Sequence, residues 1–310
     1  MTAGIAPSGE QTELVCGDQR VVVVEVGGGL RTYSVGGVEL LDGYGPEEMR
    51  LSGRGQIMAP WPNRLEDGSY EFEGRRHQLP LDELSTRTAI HGLVRWAAWT
   101  VVERESHRAV LEHVLHPRPG YPFSLVLRVE YALAQSGLTV RTTATNSGDD
   151  ACPYGAGAHP YLRLGTRRVD ELALGLPAST VLRSDERGLP AGTEPVEGTD
   201  LDFREPRTIG GTRLDNAFTD LRDSDDGIVR VELRDRDGGA GVTVWADESY
   251  PWLMIFTGDP LPEVSRRSLA VEPMTCPPNA FRTGDALVRL EPGQSHAGTW
   301  GITPHFGQAG

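Results

Sequence analysis

Lysine is absent from the 310 residues, so all 30 basic side chains are arginine. That removes Schiff-base chemistry and the phosphate-cradling lysine of P-loop proteins. Cysteine is scarce: Cys16, Cys152 and Cys276 are an odd number, far apart, with no CxxC pair. A disulfide framework is therefore not expected, and a reducing cytoplasm is. Long apolar runs are missing too. Trp252–Phe256 spans five residues, against roughly 20 for a spanning helix. The first ten residues carry neither the basic nor the apolar segment of a secretory signal. Positive charge is outweighed by 44 acidic residues, giving a formal charge of −14. Such a chain repels nucleic-acid phosphates and anionic membrane surfaces, so neither is an expected partner.

Glycine (38) and proline (22) are abundant, and 38% of residues are hydrophobic, enough to bury a sizeable core. Apolar residues recur with period two or in short runs, the pattern of strands. Gln19–Val26 and Leu30–Val35 flank a triple glycine. Trp99–Glu105 pairs with Ala109–His116, and Phe123–Ala134 with Leu138–Thr145 around Gln135-Ser136-Gly137. Ile228–Arg234 and Gly241–Ala246 flank Asp237-Gly238-Gly239, a strong hairpin signal. Trp252–Thr257, Ser268–Glu272, Ala286–Leu290 and Gly298–Ile302 continue the series. No long amphipathic helix, internal repeat or apolar-poor linker interrupts it. The expectation is one all-β domain over residues 1–310, with its core at about 15–303, built as a sandwich of large antiparallel sheets.

Five segments place polar residues where a plain turn does not require them. Ala59-Pro60-Trp61-Pro62-Asn63-Arg64 presents Asn63 and Arg64 from a loop that two prolines constrain. Ile90-His91-Gly92 sets a histidine beside a residue that permits close backbone approach. In Gly155-Ala156-Gly157-Ala158-His159-Pro160-Tyr161, small residues leave room for a ligand beside the ring. Leu214-Asp215-Asn216 reads alone as an Asx-type turn. Glu272 ends an apolar strand before Pro273 and is costly to desolvate unless paired or functional. His113 and His116 point to opposite strand faces and make a poor metal pair. No HExxH or CxxC occurs, so no metal is expected.

Taken in order and spacing, Asn-Arg, His-Gly, Gly-x-His-Pro-Tyr, Asp-Asn-x-Phe and strand-end Glu-Pro resemble the aldose 1-epimerase (galactose mutarotase) family. The resemblance runs from about residue 15 to 303 and implies that family's β-supersandwich. It also implies an isomerase that interconverts the anomers of a free aldohexose. Mutarotation opens a hemiacetal and closes it on the other carbonyl face, so it needs a base and an acid. It needs no cofactor, because no electrons move and no carbanion forms. By this resemblance Glu272 is the base at the C1 hydroxyl, His159 the acid at the ring oxygen, and His91 shares the proton-transfer work. Arg64 and Asp215 orient the sugar, with Asn63 in support. Trp61, Trp96, Tyr161 and Phe256 are candidates for the apolar face of the sugar. Nearby carboxylates are expected to favour the His159 imidazolium. His91-Gly92 runs into Leu93-Val94-Arg95-Trp96, where galactose-active members show His-Gly-Gly, so the resemblance speaks for an aldose more than for galactose.

Three rival readings remain open on the residues. A hexose 6-phosphate mutarotase could use Arg54, Arg87 or Arg95 for the phosphate. A noncatalytic carbohydrate-binding sandwich would need neither Glu272 nor His159. A two-carboxylate glycosidase using Glu272 and Asp215 leaves the histidines unexplained.

Overall fold

Strand residues alternate between core and solvent along most of the chain, and Leu125–Ala134 switches at nearly every position. The computed structural model describes residues 6–222, 224–262 and 264–306. Among them the helical elements are a 3-10 turn at Val169–Glu171 and a single α-turn at Ala280–Thr283. Neither is long and apolar enough to cross a membrane.

Three antiparallel sheets carry the architecture. A four-stranded sheet forms from Gln11–Cys16, Gln19–Val24, Leu30–Val35 and Val38–Glu39. A nine-stranded sheet is centred on Leu125–Ala134, Gly137–Asn146, Ser295–Phe306 and Ala240–Ala246. The third sheet has eight strands and carries the polar segments. In order it runs Pro190–Pro195, Ala178–Ser184, Asp215–Leu221, Trp252–Phe256, Leu269–Met274, Gly157–Ala158 and Ile57–Met58. Its eighth strand, Tyr161–Leu162, also pairs with Leu269–Met274. Leu127, Val129, Tyr131 and Val140 of the nine-stranded sheet join Phe218, Leu253, Ile255 and Val271 of the eight-stranded sheet in one contiguous buried cluster. This is the all-β arrangement of large antiparallel sheets expected from the period-two pattern.

The hairpins on either side of Gln135-Ser136 and Asp237-Gly238-Gly239 form as predicted. Asp215, read alone as a turn residue, instead opens a strand whose Cα partner is Phe256. The sheet overrides the local preference of the Asp-Asn pair because the following Ala217 and Phe218 are buried.

Candidate active site

The two faces of the Trp252–Phe256 strand have different uses. Leu253 and Ile255 point into the main core, whereas Trp252, Met254 and Phe256 take the other face. Directly opposed residues of an antiparallel pair share a face. Glu272 lies opposite Met254, and Asp215 opposite Phe256. All four therefore line one cleft of about 520 Å³. Its walls also include Asn63, Arg64, His91, Trp96, His159 and Tyr161, which brings together nine of the residues singled out from the sequence. Trp61 is elsewhere. It is 3% exposed and packs against Phe281 at 5.4 Å between ring centroids.

Glu272 and His159 are the most deeply buried charge-capable pair at the cleft floor. Nε2 of His159 lies 3.3 Å from Oε1 of Glu272, and their side chains are 6% and 3% exposed. Burial holds the Glu272 carboxyl well above the usual range, with Asp215 adding to the rise and Arg64 opposing it. Burial pushes the His159 imidazole down to about 3, with the Arg54 and Arg95 charges pushing the same way. The expected imidazolium is thus corrected for the ligand-free site. Desolvation and the two arginines outweigh the opposing backbone hydrogen bond and favour the neutral ring, while desolvation favours the protonated carboxyl of Glu272. His91 is likewise held well below its ordinary value, by burial first and then by His159, Arg95 and Arg64. Its ring meets that of His159 edge-on at 5.2 Å.

Local backbone explains how these groups are held. His91 and Asn63 both adopt left-handed φ, 61° and 55°, an uncommon conformation for side-chain-bearing residues. The Asn63 carbonyl accepts the His91 N–H at 2.9 Å, and its side-chain oxygen accepts the Arg64 N–H at 2.8 Å. Asn63 is therefore a brace between the two segments. His159 stacks on Tyr161 at 4.8 Å, and the guanidinium of Arg54 lies 4.6 Å above the other ring of this stack. The Tyr161 hydroxyl donates to the Ser52 carbonyl at 2.8 Å, tying down the 50–53 segment. Gly53 lets that segment touch the imidazole: a Cβ there would stand 2.7 Å from Cδ2 of His159. The small residues before His159 serve the sheet rather than a ligand. A Cβ on Gly157 would stand 2.7 Å from Cε of Met58 and 2.9 Å from the Pro273 carbonyl.

Arg64 is oriented by Glu83, which accepts from its Nε at 2.7 Å and its Nη2 at 2.9 Å. Burial alone would raise the Glu83 carboxyl, but Arg64, Thr86 and Thr88 donate to it and bring it down to about 2. Asp215 keeps solvent contact. Its protein surroundings raise its carboxyl and Arg64 pulls it partly back. The sequence reading missed Glu83, Arg50, Asp82 and Met254, all of which line the cleft. Of the arginines considered for a phosphate, Arg54 is spent on a buried pair with Asp42 at 2.8 Å. Arg87 is a surface residue 3.6 Å from Asp67. Arg95 lines the cleft but pairs with Asp82. Among the described residues no group of His, Cys, Asp or Glu is arranged to hold a metal ion.

The chain is similar to known proteins over nearly its whole length. A family model described as aldose 1-epimerase matches residues 13–303. The uncharacterized protein YihR of Escherichia coli K12 is 37% identical over 290 residues, covering 93% of this chain and 91% of that protein. Two solved structures share the fold. A GalM/aldose epimerase homologue from C. elegans superposes with TM-score 0.84 at 17% identity, covering 96% of this chain and 99% of its own. Galactose 1-epimerase from Lactobacillus acidophilus gives 0.80 at 21% identity, covering 96% and 94%.

Proposed function

Because the chain belongs to the aldose 1-epimerase family, we propose that it is a mutarotase acting on a free aldose by general acid–base catalysis. The observation that carries this reading is the buried 3.3 Å approach of His159 Nε2 to Glu272 Oε1 at the floor of a polar cleft. The two groups hold one proton between them. Moving it from the carboxyl to the imidazole gives the carboxylate and imidazolium that ring opening needs. Glu272 then takes the C1 hydroxyl proton while His159 protonates the ring oxygen. The C1–O5 bond breaks and C1 becomes an aldehyde. At that point the carboxyl is protonated and the imidazole neutral, the state that burial favours. Rotation about C1–C2 presents the other carbonyl face, and the reverse transfers close the opposite anomer. Atoms and electrons balance within the sugar and the two side chains.

Arg64, fixed by Glu83, and Asp215 hold sugar hydroxyls. Met254, Phe256 and Trp96 offer apolar surface to the C–H face. His91, neutral and 7% exposed, hydrogen-bonds the sugar beside the ring oxygen. The three free cysteines are consistent with a reducing cytoplasm.

The test is anomer exchange on freshly dissolved α-D-glucose and α-D-galactose, by polarimetry or NMR magnetisation transfer, against the uncatalysed background. Exchange that disappears in Glu272→Gln establishes reaction and base together. Sugar binding without exchange in the wild type would instead make the chain a carbohydrate-binding protein.

A further inference from the structure

Asp42 and Arg54 are buried charges that the cleft does not expose: neither is among its lining residues. The Oδ2 atom of Asp42 accepts from Nε of Arg54 at 3.1 Å and from Nη2 at 2.8 Å. The same carboxylate is shared. Arg267 donates to it from Nε at 3.0 Å, the Ser268 hydroxyl donates at 3.0 Å, and Arg163 stands 3.7 Å away. Burial alone would raise this carboxyl, but Arg267 and Arg54 hold it below its ordinary value. One acid divided among three arginines leaves the charge of Arg54 only partly cancelled. The Arg54 guanidinium lies 4.6 Å over the Tyr161 ring, and that ring stacks on the His159 imidazole at 4.8 Å, 7° from parallel. Backbone bonds fix the same parts to one another. The Asp42 N–H donates to the Tyr161 carbonyl at 2.9 Å, the Gly55 N–H to the His159 carbonyl at 2.9 Å, and the His159 N–H to the Gln56 carbonyl at 3.1 Å.

We infer that Arg54 is a positioning residue for the proton transfer: locked by Asp42, it seats Tyr161 against the His159 ring and keeps a partly uncancelled positive charge within reach of that ring. This rests on the mutarotase reading and adds a residue that acts through the acid. A fixed cation there makes the imidazolium give up its proton more readily, which protonation of a weakly basic ring oxygen demands. After burial, the Arg54 charge is the largest influence lowering the His159 imidazole. It stands ahead of Arg95, with a backbone hydrogen bond opposing both. The other groups facing the ring are Glu272 at 3.3 Å, His91 edge-on at 5.2 Å and Tyr161 itself. All three are unchanged by a substitution at Arg54, so a shift in the ring's titration is traceable to that residue.

The full-length protein is assayed for anomer exchange on D-glucose across the pH range, as wild type, Arg54→Gln and Arg54→Lys. Removing the cation should move both limbs of the Arg54→Gln kcat profile to higher pH by about one unit, since each proton is then held more tightly. The optimum kcat should fall about tenfold as the ring loses its seat, with KM little changed. Arg54→Lys keeps the charge, so its limbs should stay with those of the wild type. Limbs of Arg54→Gln that coincide with the wild type, whatever the loss of kcat, reduce Arg54 to a structural residue and overturn the assignment. So does an Arg54→Lys profile displaced as far as that of Arg54→Gln. If Arg54→Gln does not fold, Arg54→Lys decides alone: limbs in place uphold the assignment, and limbs displaced upward by about a unit overturn it. If the wild type exchanges no sugar, the mutarotase reading fails separately, and the His159 ring is followed by NMR in the same proteins. From a wild-type value of about 3, a rise of about one unit makes the ring about half protonated at pH 4 in Arg54→Gln, against a nearly neutral ring in the wild type. Equal protonation in the two overturns the assignment.

Discussion

Replacing His159 with Gln should flatten the acid limb of the stability curve. In the folded chain the imidazole is pushed down to about 3 from 6.5, so between those values the unfolded chain binds a proton that the folded chain refuses. A depressed folded pKa means stability that is complete above about 6.5 and declines as pH falls toward about 3. Each unit is worth about 1.4 kcal/mol. At pH 4 the wild type should therefore have lost about 3 kcal/mol on account of this residue, and almost none at pH 7. Glu272 works in the opposite sense. Its raised carboxyl stabilises the fold at low pH and loses that contribution as pH rises through its folded pKa, and it is present in both proteins. The assay is urea unfolding of wild type and His159→Gln at pH 7 and pH 4. The wild type should lose about 3 kcal/mol more than the variant between the two conditions. Parallel losses, within about 1 kcal/mol, would mean that His159 is not a desolvated neutral ring and would remove the basis for the one-proton pair.

Glu272→Gln should lower kcat for anomer exchange by roughly 100- to 10,000-fold, the usual worth of a positioned acid or base, with a much smaller change in KM, as steady-state polarimetry will show. Glu83→Gln frees the Arg64 guanidinium without touching the reacting atoms, so KM should rise about tenfold while the alkaline and acid limbs of the kcat profile stay in place. A shift of those limbs would show that Glu83 acts on the proton-transfer groups. Gly53→Ala combines a φ of +75° with a Cβ 2.7 Å from the His159 ring. It should cost about 1–2 kcal/mol of stability from the backbone alone and lower kcat at least tenfold, read by urea midpoint and exchange rate.

The strands that were readable beforehand are those with close hairpins and alternating apolar residues, such as Leu125–Ala134 with Gly137–Asn146. Those that were not carry contrary local signals: Pro190–Pro195 contains two prolines and a glycine, and Asp215–Leu221 opens on an Asx pair. Both are strands because neighbouring strands supply their hydrogen bonds, and in Asp215–Leu221 the sheet also buries Ala217 and Phe218, neither of which a local reading contains. The same division runs through the site. Glu272, His159, His91, Arg64 and Asp215 sit in motifs whose order resembles a known family. Glu83 sits in no motif, and its importance arises only on folding. Glu83 reaches Arg64 from 19 positions away. The His159 ring departs from the expected imidazolium for a related reason. A carboxylate near a histidine is visible in a pattern of residues, whereas the depth at which both are buried is a property of the sheets stacked around them. Of the two, desolvation is the larger effect on His159 and on Glu272. Desolvation by the fold therefore favours a neutral pair, the state to which the proposed ring opening returns the two side chains.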